Sequence, residues 1–283
     1  MATFTNRATL TFQGGAVDSN TVTGTFLETL SLTKAALSET YAAGDTLTYT
    51  VALVNAGTAP LGGITVTDTL GAFDFGGTTL YPLAFVPGSV LLYVDGVLQP
   101  SPVPTDTQPL VFEGITVPAG GDAVLVYAAQ VTDQAPLGVN GQITNVATAT
   151  GIGLPEPISD SATVTTADRP SLSITKALSP TSVAENGTLT YTFVIQNFGN
   201  TAAVATDDLQ LTDTFDPVLD ITSVMLDGTV LTEGTGYTYD PATGEFATVT
   251  SVVTVPAATF VRQSDGTVAV TPGQTTLVVV GTI

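Results

Sequence analysis

Tyr49-Thr-Val-Ala-Leu-Val-Asn55 decides the kind of chain this is. Tyr49, Val51 and Leu53 alternate with Thr50 and Ala52, and period-two alternation places one set of side chains on a core face and the other outside, as in a β-strand. The stretch recurs as Tyr191-Thr-Phe-Val-Ile-Gln-Asn197. Upstream of each copy, at the same interval, stand Leu30-Ser-Leu-Thr-Lys34-Ala and Leu172-Ser-Ile-Thr-Lys176-Ala, which hold the only lysines in the chain. Downstream, Thr65-Val-Thr-Asp68-Thr-Leu matches Gln210-Leu-Thr-Asp213-Thr-Phe. One domain is therefore written twice, and the rest of the sequence is read against that repeat.

The other segments agree. Ile64 and Val66 alternate with Thr65 and Thr67, and turn signals such as Ala43-Gly-Asp45, Asn55-Ala-Gly57, Asp95-Gly96 and Asp227-Gly228 separate the strands. No useful stretch has helical period. The expected fold is all-β: two tandem immunoglobulin-like β-sandwich domains plus an N-terminal donor strand. The expected boundaries are 1–28 for the donor strand and connector, 29–168 for the first sandwich and 169–283 for the second.

Composition narrows the function classes. The 283 residues are 43% hydrophobic, enough for two cores, and there is no Cys, His or Trp. Disulfides, thiolate chemistry and histidine bases are thereby excluded. A net charge of −20 argues against nucleic acid and anionic membrane as partners. The acids are scattered singly, as on a solvated surface. Asp207-Asp208 lacks the spaced ligand set of a calcium loop, so no metal or cofactor is expected. The amino terminus has no basic stretch or apolar core of a secretory leader, and no run is long enough to span a bilayer. Membrane insertion is not expected. No Leu-Pro-x-Thr-Gly-type sorting tail is written either. The expectation is export after processing, or release by cell lysis.

The repeats run in parallel until one of them stops. Gly121-Asp-Ala-Val-Leu-Val-Tyr-Ala-Ala-Gln-Val131 matches Gly273-Gln-Thr-Thr-Leu-Val-Val-Val-Gly-Thr-Ile283. After Val131 the first copy continues to Ile143-Thr-Asn145-Val-Ala147-Thr-Ala149-Thr, read here as its last strand. The second copy has no such segment after Ile283, yet the chain opens with Phe4-Thr-Asn6-Arg-Ala8-Thr-Leu10-Thr-Phe12. Both strands contain Thr-Asn-x-Ala-Thr-x-Thr, and both are followed by a similar phrase, Ser19-Asn-Thr-Val22-Thr and Ser161-Ala-Thr-Val164-Thr. A sandwich without its last strand exposes an apolar groove and unpaired backbone groups. The strand of a neighbour can fill it, and head-to-tail repetition then gives a fibre. The expected partners are identical subunits, the donor strand presenting Phe4, Asn6, Ala8, Leu10 and Phe12.

Parity also directs three polar residues inward in each domain. Lys34 shares a face with Leu30 and Leu32, Asp68 with Ile64 and Val66, and Asn145 with Ile143 and Ala147. Lys176, Asp213 and Asn6 are placed in the same way. Burial lowers a lysine pKa and raises a carboxyl pKa. A neutral amine held against a carboxamide, with a carboxyl group to polarise it, can form a Lys–Asn amide and release ammonia. First and last strands of such sandwiches commonly lie side by side, which would bring Lys34 to Asn145. A buried Lys–Asp ion pair with an asparagine capping a turn accounts for the same residues without chemistry. Asn55 and Asn197 also point inward and are alternative acceptors for the lysines, although their place before Ala-Gly and Phe-Gly suits a turn.

The phrase Gly-Asp-Thr-Leu-Thr-Tyr-Thr-Val-x-Leu-Val-Asn-x-Gly, with Thr-Val-Thr-Asp-Thr-Leu and Thr-Asn-Val-Ala-Thr, resembles the DUF11-type surface repeat of bacteria and archaea over residues 30–150 and, without the last strand, 172–283. The resemblance implies an immunoglobulin-like extracellular repeat of adhesins, envelope proteins and stalks. The function expected is a structural subunit of an extracellular filament on a bacterial cell or spore, assembled by donor-strand complementation. The alternative is an adhesin or envelope-binding module. With no nucleophile elbow and no phosphate loop, an enzyme is not expected.

Overall fold

The computed structural model describes residues 3–25 and 29–283. The protein is all-β, and among the described residues the one helical feature is a single 3-10 turn, Ala205–Asp207. It divides into two compact units, Met1–Pro136 with Gln142–Thr165 and Leu137–Gly141 with Thr166–Ile283.

The amino-terminal segment forms β1 (Thr3–Asn6), β2 (Thr9–Phe12), β3 (Gly15–Asp18) and β4 (Val22–Thr25). β1 pairs with β4 and β2 with β3, both antiparallel, so residues 3–25 run up one side of a hairpin and down the other. Phe4, Leu10, Phe12, Val17 and Val22 are all exposed on it.

The first sandwich is built on β5 (Leu30–Ala36), β6 (Thr46–Asn55), β7 (Leu61–Asp68), β8 (Leu110–Val117), β9 (Asp122–Val131), β10 (Gln142–Thr150) and β11 (Ile158–Thr166). In one sheet β9 lies between β6 and Leu91–Val94, and β5 forms the edge beyond β6. In the other, β7 lies between β8 and β10, with β11 outside β10 and Thr40–Tyr41 outside β11. Alternation does what period two requires. Leu47, Tyr49, Val51 and Leu53 of β6 and Leu125 and Tyr127 of β9 are buried, facing Ile64, Val66, Phe112, Ile143, Ala147 and Ala149 from the second sheet.

Two expectations are corrected. Asn145 lies on β10, but β10 is not the last strand; β11 follows and pairs with it along its length. Nor do the strands of Lys34 and Asn145 lie side by side. β5 and β10 belong to opposite sheets, so the two side chains approach across the core.

The second unit contains β12 (Leu172–Ser179), β13 (Thr188–Asn197), β14 (Thr212–Thr214), β15 (Asp220–Leu226), β16 (Tyr237–Asp240), β17 (Glu245–Thr248) and β18 (Gly273–Thr282). Its first sheet, β12-β13-β18-β15 with Thr229–Val230, repeats the order of the first unit. Its second sheet has only β14, β17 and β16. Among the described residues this unit holds no counterpart of β10 and β11. The consequence falls on β12: Leu30 of β5 is 4% exposed, whereas its counterpart Leu172 is 44% exposed and Ile174 is 55% exposed. A groove of about 290 Å³ runs there, lined by Leu172, Ile174, Ile195, Leu209, Leu211 and Val253.

Candidate functional site

The structure brings Lys34, Asp68 and Asn145 together inside the first sandwich, all three buried. Lys34 reaches from the edge strand β5 into the core, beneath which Tyr49 and Tyr127 stack at 5.8 Å between ring centroids. Its ammonium lies 4.7 Å from the Tyr49 ring centre and donates to Asp68 Oδ2 and, at 2.7 Å, to Tyr127 Oη. Tyr127 in turn donates to the same Asp68 oxygen. The Asn145 carboxamide completes the cluster: its Nδ2 donates to Tyr127 Oη at 3.4 Å. Its Oδ1 accepts from the Gly71 amide at 3.2 Å and from Thr69 Oγ1 at 3.3 Å.

The turn after β7 exists to make this pocket. Asp68 Oδ1 accepts from the Leu70 amide at 2.9 Å, which closes a side-chain turn. Gly71 then takes φ +70°, and a Cβ there would meet Ile143 Cγ2 at 2.5 Å. Only glycine lets the chain pass that close while aiming its amide at Asn145.

Burial drives the chemistry. It pushes the Lys34 ammonium below the usual lysine range, although the neighbouring Asp68 opposes that. It pushes the Tyr127 hydroxyl well above the usual tyrosine range, with the Asp68 charge adding to the effect. An amine biased toward its neutral form, a carboxyl group in contact with it, and a carboxamide sharing the same tyrosine hydroxyl are the components of amide formation. They are equally the components of a fully hydrogen-bonded buried ion pair.

Sequence reasoning missed two members. Tyr127 carries the link between Lys34 and Asn145, and its signal was parity: it shares a face with Ala123, Leu125 and Ala129, where a buried hydroxyl needs a partner. Asp160 on β11 accepts the Lys34 backbone amide at 2.8 Å, closing the open edge of β5. Backbone donation from Lys34 and Ser161 holds its carboxyl below the usual aspartate range. Its signal lay one residue before the matched phrase, since Asp160-Ser-Ala-Thr-Val-Thr and Asp18-Ser-Asn-Thr-Val-Thr agree from their first residue.

The second site keeps the lysine–aspartate pair and its aromatic neighbour but leaves them uncovered. Lys176 Nζ lies 2.5 Å from Asp213 Oδ2, and 4.7 Å from the centre of the Tyr191 ring, the counterpart of Tyr49. The lysine side chain is 41% exposed, against 0% for Lys34. Val279 occupies the position of Tyr127 in the matched strand, and Asn6 stands on the exposed amino-terminal hairpin. Asn55 and Asn197 do other work. Asn55 Nδ2 donates to the Ala59 and Pro118 carbonyls at 2.8 and 2.9 Å. Asn197 Nδ2 donates to Thr201 and Pro256 at 2.7 and 3.0 Å. Both carboxamides are spent on loops. Among the described residues no group of three or more acidic, His or Cys side chains forms a metal centre, and no helix is long and apolar enough to cross a membrane.

No protein-family model matches the chain, and no curated protein matches it. Among solved structures, it is similar to the pilus backbone of Streptococcus pneumoniae (15% identity, TM-score 0.36, 86% of this chain and 55% of that one). It is similar to the major pilin subunit of Bacillus cereus (13%, 0.34, 96% and 73%). It is similar also to a family 123 glycoside hydrolase from Clostridium perfringens (9%, 0.32, 49% and 27%). The chain thus spans about a quarter of the hydrolase and about half of the pneumococcal protein. Similarity at this level assigns neither a family nor a function.

The tyrosines carry a pH prediction. Burial raises Tyr41, Tyr49 and Tyr127 above the ordinary value of 10.0. The folded first unit therefore keeps protons that the unfolded chain has released, and stability falls as pH rises from about 10 upward. Absorbance at 295 nm should show these three ionising together with unfolding. Ionisation of all tyrosines before the loss of circular dichroism would contradict this.

Proposed function

We propose that this chain is a structural subunit of an extracellular filament on a bacterial cell or spore, assembled head to tail by donation of its amino-terminal strand to the open groove of the next copy. The observation that carries this reading is a pair of complementary faces: an exposed apolar hairpin whose sequence repeats β10, and an exposed apolar groove where a β10 would lie. The first unit supplies the register. Ala147 pairs with Asp68 and Ala149 with Val66, so the same alignment sets Ala8 opposite Asp213 and Leu10 opposite Leu211. Asn6 then takes the place at Lys176 that Asn145 takes at Lys34.

Within the first unit, Lys34 Nζ attacks Asn145 Cγ; the new C–N bond forms as the bond to Nδ2 breaks, and Nδ2 leaves as ammonia. Asp68 takes the proton given up by the amine and passes it to the leaving nitrogen, so the balance is one amide gained, one lost and no external reagent. Lys176, Asp213 and Asn6 are assigned the same roles between subunits.

Deleting residues 1–12 tests the assembly. Electron microscopy of wild-type protein at rising concentration should show filaments, and the deletion variant should give monomers. A synthetic peptide of residues 3–12 added to wild type should shorten the filaments. Normal filaments from the deletion variant overturn the reading.

A further inference from the structure

The first unit shows that two strands, not one, have no counterpart among the described residues of the second unit. β10 does not close its sandwich by itself. β11 lies outside it, buries Ala162 and Val164, and places Asp160 on the Lys34 amide. Both strands have counterparts at the amino terminus. Residues 3–12 repeat β10, and Asp18-Ser-Asn-Thr-Val22-Thr repeats Asp160-Ser-Ala-Thr-Val164-Thr of β11. The structure joins these two stretches as one antiparallel hairpin, the pairing that β10 and β11 themselves show. Val22, the counterpart of the buried Val164, is exposed there.

We infer that the element passed between copies is this two-stranded hairpin, residues 3–25, with Val22 filling the position of Val164 and Asp18 accepting the Lys176 backbone amide as Asp160 accepts that of Lys34. The inference rests on the assembly reading above and adds the second strand to it. In chemical terms the donor brings three things: an apolar face, the Asn6 carboxamide, and a carboxylate for the open edge of β12.

The free hairpin differs from β10–β11 in a way that makes the step recognisable. Thr9 pairs with Asp18 and Asn6 with Val22, whereas their counterparts pair as Thr148 with Ser159 and Asn145 with Ala162. Asp18 consequently faces Thr9, whose hydroxyl donates to it at 2.6 Å, and Arg7 at 3.1 Å. Docking in the register of the first unit slips the second strand by one residue at Thr9 and by two at Asn6. A one-residue slip turns a side chain to the other face, and that carries Asp18 from Arg7 to the side of Ala8. Asn20 stands where the buried Ala162 stands, opposite Asn145 in the first unit and so opposite Asn6 after docking, a place where its carboxamide meets another carboxamide.

Hydrogen exchange of the full-length protein, monomer against filament, decides the matter. If the hairpin is donated, amides of residues 15–25 gain protection on assembly along with those of residues 3–12, on the order of 100-fold. Three full-length variants check the result independently. Leu10→Asp and Val22→Asp should each abolish filaments, and Asp18→Ala should raise the critical concentration about tenfold, the loss expected for a charge-assisted hydrogen bond. If Leu10→Asp abolishes assembly while Val22→Asp assembles normally and residues 15–25 stay unprotected, the hairpin is wrong and single-strand donation survives. If both variants assemble, donation itself is wrong. An unchanged critical concentration for Asp18→Ala overturns the Asp18 contact.

Discussion

Filaments of this protein boiled in detergent are expected to leave a ladder of multimers rather than monomer. The energetics require a lock if the assembly is to last outside the cell. Phe4, Leu10 and Phe12 each contribute about 1.5–3 kcal/mol when fully buried. Association costs roughly 4–15 kcal/mol in lost freedom, so insertion alone gives a contact that heat and detergent reverse. The chain has no Cys, and no disulfide can supply the lock. Lys176 and Asp213 are already paired at 2.5 Å, and the lysine is still 41% exposed. The arriving strand would cover them, remove water from the amine, and bring the Asn6 carboxamide to it. The bond is therefore expected to form on assembly and not in the monomer. Asn6→Ala and Lys176→Ala should still assemble through backbone pairing but boil down to monomer. Complete dissociation of wild-type filaments would remove the covalent step and leave strand insertion alone.

Much of this was legible in the sequence for a simple reason. Period two fixes which side chains share a face, and Lys34, Asp68 and Asn145 fall on apolar faces of their strands. Parity says nothing about which sheet a strand joins, and that is why Lys34 and Asn145 were expected on adjacent strands and are found across the core. It also cannot weigh a tyrosine: Tyr127 reads as one more apolar residue of β9 until its hydroxyl is seen among three polar neighbours. The role of β11 was hidden by ordering. Its pattern begins at Ile158, beyond a loop rich in Gly and Pro, so β10 read as the last strand of a domain whose boundary was nonetheless set beyond it, at 168. Lys176 has the parity of Lys34 and yet lies open, because burial of an edge-strand residue depends on what covers it, and its cover is not on its own strand.

The first unit offers the test that needs no assembly. Purified monomer should have a mass lower than that of its sequence by one ammonia, and Lys34→Ala should restore the full mass. The same substitution should cost stability, because it removes a covalent closure between residues 34 and 145, and closing a loop of about 100 residues constrains the unfolded chain by about 4.7 kcal/mol. The bonded Lys34 nitrogen is an amide and no longer a cation for Asp68, so no ion pair is lost with it. Asn145→Ala also abolishes the crosslink but leaves a Lys34 ammonium to pair with Asp68, so it should cost no more than Lys34→Ala. Tyr127→Phe makes a finer cut. It keeps the ring and the packing on Tyr49 but removes the hydroxyl that Lys34 and Asn145 share, and it should slow the mass change without abolishing the fold. If wild-type monomer carries its full sequence mass, the cluster is an ion pair held by Tyr127. Lys34→Ala should then leave the buried Asp68 carboxylate without its cation, which costs about 3–5 kcal/mol where a buried pair is broken, and Asn145→Ala should cost no more than the hydrogen bonds it makes to Tyr127, Thr69 and Gly71.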